Sequence, residues 1–461
     1  MKLINNLIKS KTWNIVISMV LFAVLVSNDV NLFSAIGLAL TLFSFLLYIR
    51  KLGDNLPILE LMLLLCGYQW IVASYYSFLN GDTFYPMEVD ETTYMSITVL
   101  LYAGLLIGVL LVAKSIKISK ENLERHMSIG KNRKFILIII SVGFVAILVK
   151  PIIPMSLLFV NHLLASMLYV GGLMILYSNF KYKWFVFFVI FGSLFLRVII
   201  IGVFNEFLSW GFFIVMFLAN IFKPSKAKII MFLLASVMLI SVLQAVKPYY
   251  RSIIWEGYQG NKIALFFEIF IDNLTGQFDE TNLDESELYD NLNSRANQGW
   301  VYSMVYSHVP SNVPYARGST ILAAISDSFL PRFLFPNKAP TFSKDLFEKY
   351  TGRQLGDNTA MGLGILGEGY ANFGKFGAFL FMMVYGMIIG WIVKVYNRKS
   401  MLLPVMLFFV PVYFEMIIRA ISNLSQVINW QVKVTFLFWL LFRYYRSNYY
   451  EMPNKELNIL K

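Results

Sequence analysis

The sequence predicts an all-α polytopic membrane protein with about twelve transmembrane helices and one long external segment between the ninth and the tenth. Composition is the first reason: 58% of the 461 residues are hydrophobic and 14% are charged, against about 25% charged in an average soluble domain. The second reason is the recurrence of apolar windows of about 20 residues, the length that crosses a hydrocarbon core. The third is the charge of the loops, which alternates from one loop to the next.

Twelve windows are apolar enough to be transmembrane spans. They cover approximately residues 12–28, 31–49, 57–79, 93–113, 134–149, 155–178, 184–204, 206–222, 227–246, 371–396, 402–421 and 427–445. The chain is thus divided into a nine-helix region, an external segment with interfacial helices, a three-helix region and a cytoplasmic tail, at residues 1–246, 247–370, 371–445 and 446–461. The first span follows a basic start without a small-residue cleavage site, so we expect it to be retained.

Loop charge predicts the orientation of the chain. With both termini in the cytoplasm every inner loop is basic, as the positive-inside rule requires, and the long segment faces outward. Residues 247–361 contain ten Lys or Arg and thirteen Asp or Glu, which gives this segment a net charge of −3. Because the whole chain has a net charge of +12, the remaining residues together carry +15. That distribution suits anionic lipid headgroups at the cytoplasmic face and does not imply nucleic acid.

Two stretches of the long segment are apolar without being spans. In residues 263–274, Glu268 and Asp272 stand four apart on one face of an otherwise apolar helix, a pattern typical of a helix that lies in the membrane interface. Residues 320–340 are apolar and aromatic but contain prolines, which favours a segment that follows the membrane surface.

Several kinds of chemistry have no support in the residues. Cys66 is the only cysteine, so no intrachain disulfide forms. The three histidines have no metal-ligand spacing, and we predict neither a metal nor a cofactor. GLGILG at 362–367 follows no β-strand, which argues against a dinucleotide site. The six glycines between 362 and 377 instead predict close approach of the backbone to other chain segments or to a ligand.

Arginine remains as a residue that could bind an anionic substrate. The long segment carries five arginines: Arg251, Arg295, Arg317, Arg332 and Arg353. A guanidinium suits a diphosphate because its planar fork donates paired hydrogen bonds and its charge is permanent. The alternative is that each arginine pairs with a nearby acid or reaches to lipid headgroups. Arg332, which lies between apolar residues, is the strongest of the five candidates for binding an anionic substrate.

Two pairs of ionisable residues are predicted near or within the membrane. Glu415 and Arg419 stand four apart in the eleventh window, on one helical face. Such residues usually face a bundle interior or a water-filled path, because charge at membrane depth is costly. A purely structural ion pair is the alternative. Arg197 and Glu206 form a second pair of the same kind.

The order of these elements resembles a known family. Many spans are followed by a long external segment with a P-R-x-x-x-P-x-K turn at 331–338, then by G-E-x-Y-x-N-F-G-x-x-G at 367–377 and an intramembrane arginine, Arg419. This layout resembles the Wzy-type oligosaccharide repeat unit polymerases of bacteria, which make O-antigen and capsule. The resemblance in architecture covers nearly the whole chain, whereas the motifs are confined to 331–377 and 415–419.

The resemblance implies a metal-independent membrane glycosyltransferase of the GT-C type at the outer face of the bacterial cytoplasmic (inner) membrane. It would transfer a growing glycan from one undecaprenyl diphosphate carrier to a repeat unit on a second carrier. Membrane lipids, a repeat-unit flippase and a chain-length regulator are the implied partners.

The resemblance also implies roles for individual residues. Arg332, Arg353 and Arg419 would hold the diphosphate, and Glu368 would be a base or would position sugar hydroxyls. Tyr370 and Asn372 would contact sugars. From the residues themselves, Arg251, Arg295, Arg317, Lys338 and Glu415 are further predicted substrate-binding residues. For Glu368 the alternative is a charge that satisfies backbone amides at a helix N-terminus.

Two other functions fit part of the pattern. An O-antigen ligase would show a histidine-asparagine pair ahead of the last spans, where this chain has residues 367–370 without a histidine. A polysaccharide or lipid-linked oligosaccharide transporter would show two similar halves, whereas nine spans, a long segment and three spans are asymmetric. The sequence therefore favours polymerisation.

Overall fold

The computed structural model describes residues 8, 10–81, 85–112, 114–202, 204–275, 297–329, 344–356, 359 and 361–449. In this part the fold consists of α-helices, short 3-10 and π turns, and one two-stranded sheet.

Helices α1 to α11 precede the long segment. They are α1 (Lys11–Ser27), α2 (Leu32–Lys51), α3 (Ile58–Gly67), α4 (Ala73–Asn80), α5 (Glu91–Val112), α6 (Lys120–Met127), α7 (Gly130–Val149), α8 (Leu158–Leu176), α9 (Lys183–Ile201), α10 (Asn205–Phe222) and α11 (Lys226–Trp255). The described residues after Trp255 form α12 (Lys262–Thr275), α13 (Gly299–His308), α14 (Ser319–Phe329), α15 (Lys344–Thr351), α16 (Gly364–Leu402), α17 (Val410–Ile418) and α18 (Leu424–Asn448). Strand β1 (Asn55–Leu56) pairs antiparallel with β2 (Ile116–Lys117).

Several helices are long and apolar enough to cross a membrane. In the described part there are seven such stretches, formed by α2, α3 with α4, α5, α7, α8, α9 and α16. Three shorter apolar stretches correspond to α1, α10 and α17. All twelve predicted windows overlap helical residues. The helical, membrane-embedded class is therefore confirmed, while the count of twelve spans and the GT-C fold remain predictions.

Helices α5 and α16 pack together through glycines. A Cβ atom on Gly108 would lie 2.0 Å from the Met383 carbonyl oxygen, and one on Gly104 would lie 2.6 Å from that of Phe379. On the other helix, a Cβ on Gly386 would lie 2.6 Å from the Leu105 oxygen. Because these glycines have no side chains, the two helix backbones touch at these positions, as in other small-residue membrane interfaces.

We expect Gly108→Ala to destabilise the protein although alanine is the better helix former by about 1 kcal/mol. The added methyl group forces α5 away from α16, at a cost of about 1–3 kcal/mol typical of overpacking. Thermal unfolding in detergent measures the effect. Gly192→Ala in α9 is the matched control, because a Cβ there meets nothing within 4 Å. Equal stability of the two variants would contradict the close packing.

Helix α16 is broken at Gly374, where φ is 65° and ψ is −172°. We call residues 364–373 the short arm and residues 375–402 the long arm. A Cβ at this position would also lie 2.9 Å from the Tyr315 hydroxyl. Glycine is therefore needed at the break both for its backbone conformation and for the contact.

Part of the long segment is buried among the transmembrane helices. Residues 299–306 of α13 are all buried. The start of this helix contacts a π-helical turn, Tyr68–Val72. In this turn the Gln69 carbonyl accepts a hydrogen bond from the Gln298 amide at 3.1 Å. The Trp70 carbonyl accepts another from the Tyr94 hydroxyl at 2.8 Å. The long segment thus reaches into the helical bundle rather than only covering it.

The loops predicted to be cytoplasmic form an ordered structure, which we call the loop cap: β1, β2 and α6. The Lys117 amide donates to Asn397 Oδ1 at 2.9 Å, and Asn220 Nδ2 donates to the Gly53 carbonyl at 2.9 Å. Lys226 Nζ donates to the Leu52 carbonyl at 2.7 Å. Hydrogen bonds to helix ends therefore fix the backbone of this cap.

His126 at the end of α6 fastens the loop cap to α18. Its Nε2 lies 2.8 Å from the Tyr445 hydroxyl, which donates to Asn132 Oδ1 at 2.6 Å. Asn132 Nδ2 in turn donates to the His126 carbonyl at 2.6 Å. Burial lowers the pKa of His126 from its ordinary 6.5 to about 4, because the charged ring is poorly solvated there.

We expect this histidine to make stability depend on pH. Its folded pKa lies below the unfolded value, so the unfolded chain binds more protons between about pH 6.5 and 4. Stability therefore falls as the pH drops through that window, by about 3 kcal/mol in all. Thermal unfolding between pH 7 and 4 measures the profile. His126→Gln should flatten it and His162→Gln should not; unchanged profiles in both variants would contradict the assignment.

Candidate functional site

The short arm of α16 is fastened to the turn that leads into α18. The Gly364 amide donates to Asn423 Oδ1 at 2.7 Å, and the Ile365 amide donates to the Ser422 carbonyl at 3.1 Å. The Leu424 amide donates in the opposite direction, to Glu368. We call this assembly, residues 364–373 with 419–424, the corner.

Glu368 is buried in the corner. Its side chain is 3% exposed, and its Oε2 accepts the hydrogen bond from the Leu424 amide at 3.2 Å. The Thr320 hydroxyl is a further neighbour of the same carboxyl group. Leu424 is the first residue of α18, where free amides and the helix dipole favour a negative charge. The carboxylate therefore satisfies a helix N-terminus, but that of α18 rather than that of its own helix.

Arg419 ends α17 and begins the corner. Its Nη2 donates to Glu415 Oε1, so the predicted pair at i, i+4 is present. The side chain of Arg419 is 23% exposed and that of Glu415 is 10% exposed. Arg419 Nε is buried and has no hydrogen-bond acceptor in the described part of the chain. A buried donor without a partner is costly, so any hydrogen-bond acceptor that reached this Nε would be stabilised.

Asn372 joins the corner to the start of α14. Its Nδ2 donates to Thr320 Oγ1 at 2.6 Å and to the Glu368 carbonyl at 2.8 Å. Its Oδ1 accepts from the Gly318 amide at 2.9 Å, and its carbonyl accepts from the Arg317 amide at 3.1 Å. The Asn372 carbonyl and Oδ1 therefore hold the backbone of the turn at 316–320 against the short arm, and Nδ2 adds a bond to the Thr320 side chain.

Tyr370 lies on the opposite side of the short arm, packed between aromatic rings. Its ring centroid is 4.5 Å from that of Tyr306 and 6.2 Å from that of Tyr315. The side chain is buried. In this conformation Tyr370 contacts protein, and its predicted contact with a sugar stays a prediction.

Arg317 stands at the exposed edge of the corner. Its φ of 49° is in the left-handed region, which is uncommon for a residue with a side chain. The hydrogen bond from its amide to Asn372 holds it there. The Arg317 guanidinium forms no ion pair with the described residues. Of the five arginines of the long segment, Arg317 is therefore one that lies next to the corner and is available to a ligand.

Arg353 and Arg251 lie on other elements. The exposed Arg353 guanidinium is 5.8 Å from the ring of Trp300 in α13. Arg251 Nε donates to the Gly202 carbonyl at 2.5 Å, and its guanidinium is 4.9 Å from the ring of Trp255. Arg251 therefore joins α11 to the end of α9 and is not part of the corner.

The second predicted ion pair is also present. Arg197 Nη2 in α9 donates to Glu206 Oε2 in α10. Each side chain is about one quarter exposed, at 27%. The pair bridges two successive helices, so a structural role explains the presence of both charges.

Three predicted residues, Arg295, Arg332 and Lys338, lie outside the described residues, as does the whole 331–338 motif. Within the described part, no three His, Cys, Asp or Glu side chains are grouped so that they could hold a metal ion.

Sequence reasoning missed Thr320 and Asn423. Thr320 belongs to no sequence motif. It contacts the site residues only because the chain folds back onto the short arm. Asn423 did have a signal, since Gln426 stands three residues later and its side chain accepts from the Asn423 amide at 3.0 Å. Asn followed by Gln at this spacing is typical of a helix start.

The fold and these contacts define a multi-pass, all-helical membrane protein whose long segment is built into the helical bundle. The chain belongs to the family described as "Domain of unknown function (DUF8712)", which it matches over residues 65–445. No curated protein and no solved structure matches it. The family match includes all the described site residues, and its description leaves their function open.

Proposed function

We propose that the protein is a polysaccharide polymerase. It joins undecaprenyl-diphosphate-linked oligosaccharide repeat units into O-antigen, capsule or exopolysaccharide at the outer face of the bacterial cytoplasmic membrane. Both termini are cytoplasmic, and the long segment is external. The polymer is built by a GT-C-like glycosyltransferase that uses the polyprenyl diphosphate itself as the leaving group.

The observation that carries the proposal is the hydrogen bonding of the Arg419 guanidinium. One arm of its guanidinium pairs with Glu415, while its buried Nε has no acceptor among the described residues. The guanidinium is thus oriented by a carboxylate and still has a donor for an anionic ligand. A phosphate oxygen suits that donor, because Arg binds phosphate with hydrogen bonds as well as charge.

The proposed reaction is a displacement at the anomeric carbon of the donor sugar. The acceptor hydroxyl oxygen forms the new glycosidic bond, and the bond to the diphosphate oxygen breaks. The diphosphate leaves with the electron pair, and Glu368 takes the proton of the hydroxyl. Arg419 stabilises the negative charge that develops on the departing phosphate, as a pre-organised group does in other transfer reactions.

In this proposal Glu368 acts as the base once the acceptor is bound. The Thr320 hydroxyl is now a neighbour of the carboxyl group, and we propose that the acceptor hydroxyl takes its place. Hydrogen bonds to a catalytic base often form fully only in the substrate complex. The contact to the Leu424 amide keeps the carboxylate in position meanwhile.

The exposed arginines support an anionic substrate. Arg317 and Arg353 form no ion pair with any described carboxylate, which is the behaviour expected of ligand-binding residues rather than of structural pairs. Arg332, Arg295 and Lys338 remain predicted partners of the same diphosphates. A flippase and a chain-length regulator remain predicted protein partners.

A deletion strain tests the function in cells. Without the protein, we expect single repeat units on the lipid carrier and no polymer, and the wild-type gene should restore the ladder of lengths. Polymer that forms normally but stays on the carrier would indicate a ligase. Repeat units that remain at the cytoplasmic face would indicate a transporter. Either result would overturn the proposal.

A further inference from the structure

A cleft of about 390 Å³ lies between the loop cap and the end of α16, on the face predicted to be cytoplasmic. Its polar lining consists of Asp54, Asn55, Lys117, Ser119, Asn122 and Ser400. Its apolar lining consists of Ile118, Leu123, Met401, Pro404 and Leu407. Binding sites for small molecules commonly combine an apolar wall with a few polar groups in this way.

The cleft contains two opposite charges that do not neutralise each other. Asp54 directly precedes β1, and Lys117 is the β2 residue paired with Asn55. Neither charged group forms an ion pair within 4.0 Å in the described part of the chain. Both side chains are exposed, and a ligand that pairs with both carries a positive and a negative group.

The backbone that carries these charges is fixed. The Lys117 amide donates to Asn397 Oδ1 at 2.9 Å. Asn220 Nδ2 donates to the carbonyl of Gly53, the residue before Asp54, at 2.9 Å. Because the backbone is already in place, only the two charged side chains lose conformational freedom when a ligand binds.

The apolar side of the cleft continues into the membrane-facing surface. Met401 lines the cleft and is 52% exposed, and its neighbour Leu402 is 63% exposed at the end of the membrane-spanning α16. We expect exposed apolar side chains at the end of a predicted span to contact lipid. The cleft is therefore open to a molecule that has a charged headgroup in the cap and apolar chains in the bilayer.

We propose that this cleft binds a phosphoethanolamine group, with the phosphate at Lys117 and the ammonium at Asp54. The ammonium donates to the carboxylate, and the side-chain amides of Asn55 and Asn122 donate neutral hydrogen bonds to the phosphate oxygens. The apolar lining and the exposed Met401 favour phosphatidylethanolamine of the cytoplasmic leaflet as its source. This inference does not rest on the proposed polymerase function.

Lipid-dependent thermal stability of the purified full-length protein in detergent tests the site. We expect phosphatidylethanolamine to raise the unfolding midpoint by about 3 °C or more, since ligand binding stabilises the folded state. Phosphatidylcholine should act less because its quaternary ammonium cannot donate a hydrogen bond. Phosphatidylglycerol should act less because it lacks the positive charge. Soluble O-phosphoethanolamine should reproduce part of the rise, and a full effect would assign the binding to the headgroup alone.

Charge-removing variants assign the effect to the cleft. Asp54→Asn and Lys117→Gln should each abolish the preference for phosphatidylethanolamine, and native mass spectrometry should show loss of a bound lipid. Glu124→Gln and Lys114→Gln are matched controls, because they remove the same charges nearby without lining the cleft. A preference that persists in both cleft variants, or an equal response to phosphatidylglycerol, would overturn the proposal.

Discussion

Arg419→Gln is expected to reduce polymer formation by about 100-fold or more. In the proposed reaction this guanidinium stabilises the charge on the departing diphosphate, and removing one such pre-organised donor from an active site costs about 10²–10³ in rate. Arg419→Lys should recover only part of the activity, because a lysine keeps the charge but lacks the fork and the Nε donor. The yield and length of lipid-linked polymer measure the effect.

Folding must be separated from chemistry in this experiment. Arg419→Gln leaves Glu415 without its partner in a largely buried position, and such a loss destabilises by about 3–5 kcal/mol. The double variant with Glu415→Gln removes both charges and should fold better while staying inactive. Arg443→Gln is the control, since that exposed arginine contacts only the Trp439 ring in the described structure. Near-normal polymer from the folded double variant would refute the role of Arg419.

Glu368→Gln is expected to give a folded and inactive protein. The amide oxygen of glutamine can still accept the hydrogen bond from Leu424, so the corner stays closed. It cannot take a proton from the acceptor, and loss of a general base costs about 10²–10⁴ in rate. Glu368→Ala should lose both stability and activity, because the buried Leu424 amide then has no acceptor.

A second carboxylate in the chain offers a matched control. Glu348 Oε1 accepts a hydrogen bond from the Leu355 amide at 2.8 Å, which is a contact of the same type in the long segment. Glu348→Gln should keep both fold and activity. If Glu368→Gln also keeps full activity, then Glu368 only holds the corner together, and another group must accept the proton.

Much of the fold could be predicted because membrane spans have a strong local signal. The windows at 31–49 and 93–113 coincide closely with α2 and α5, since a bilayer demands about 20 apolar residues in a row. The burial of α13 could not be predicted. Its sequence, GWVYSMVYSH, has polar groups whose partners come from distant parts of the chain, such as the Thr98 hydroxyl for Tyr306 and the Glu88 amide for Ser303.

Some contacts of the candidate site could be predicted from the sequence, but most of its geometry could not. Glu415 and Arg419 pair because four residues make one helical turn, so the sequence alone predicts their contact. Glu368 and Leu424 are 56 positions apart, and only the packing of the short arm against the start of α18 joins them. The glycines at 362–377 indicated close backbone contacts, and Gly374 makes one, but which neighbour it meets depends on the tertiary fold.

Reconstitution of the reaction tests the central claim most directly. The purified protein would be placed in liposomes with undecaprenyl-diphosphate-linked repeat units from its own pathway, without metal ions or nucleotide sugars, and the lipid-linked products separated by size. The proposal predicts a ladder spaced by one repeat unit for the wild type and single units for Arg419→Gln with Glu415→Gln. Single units alone from folded wild-type protein given the correct substrate would contradict it.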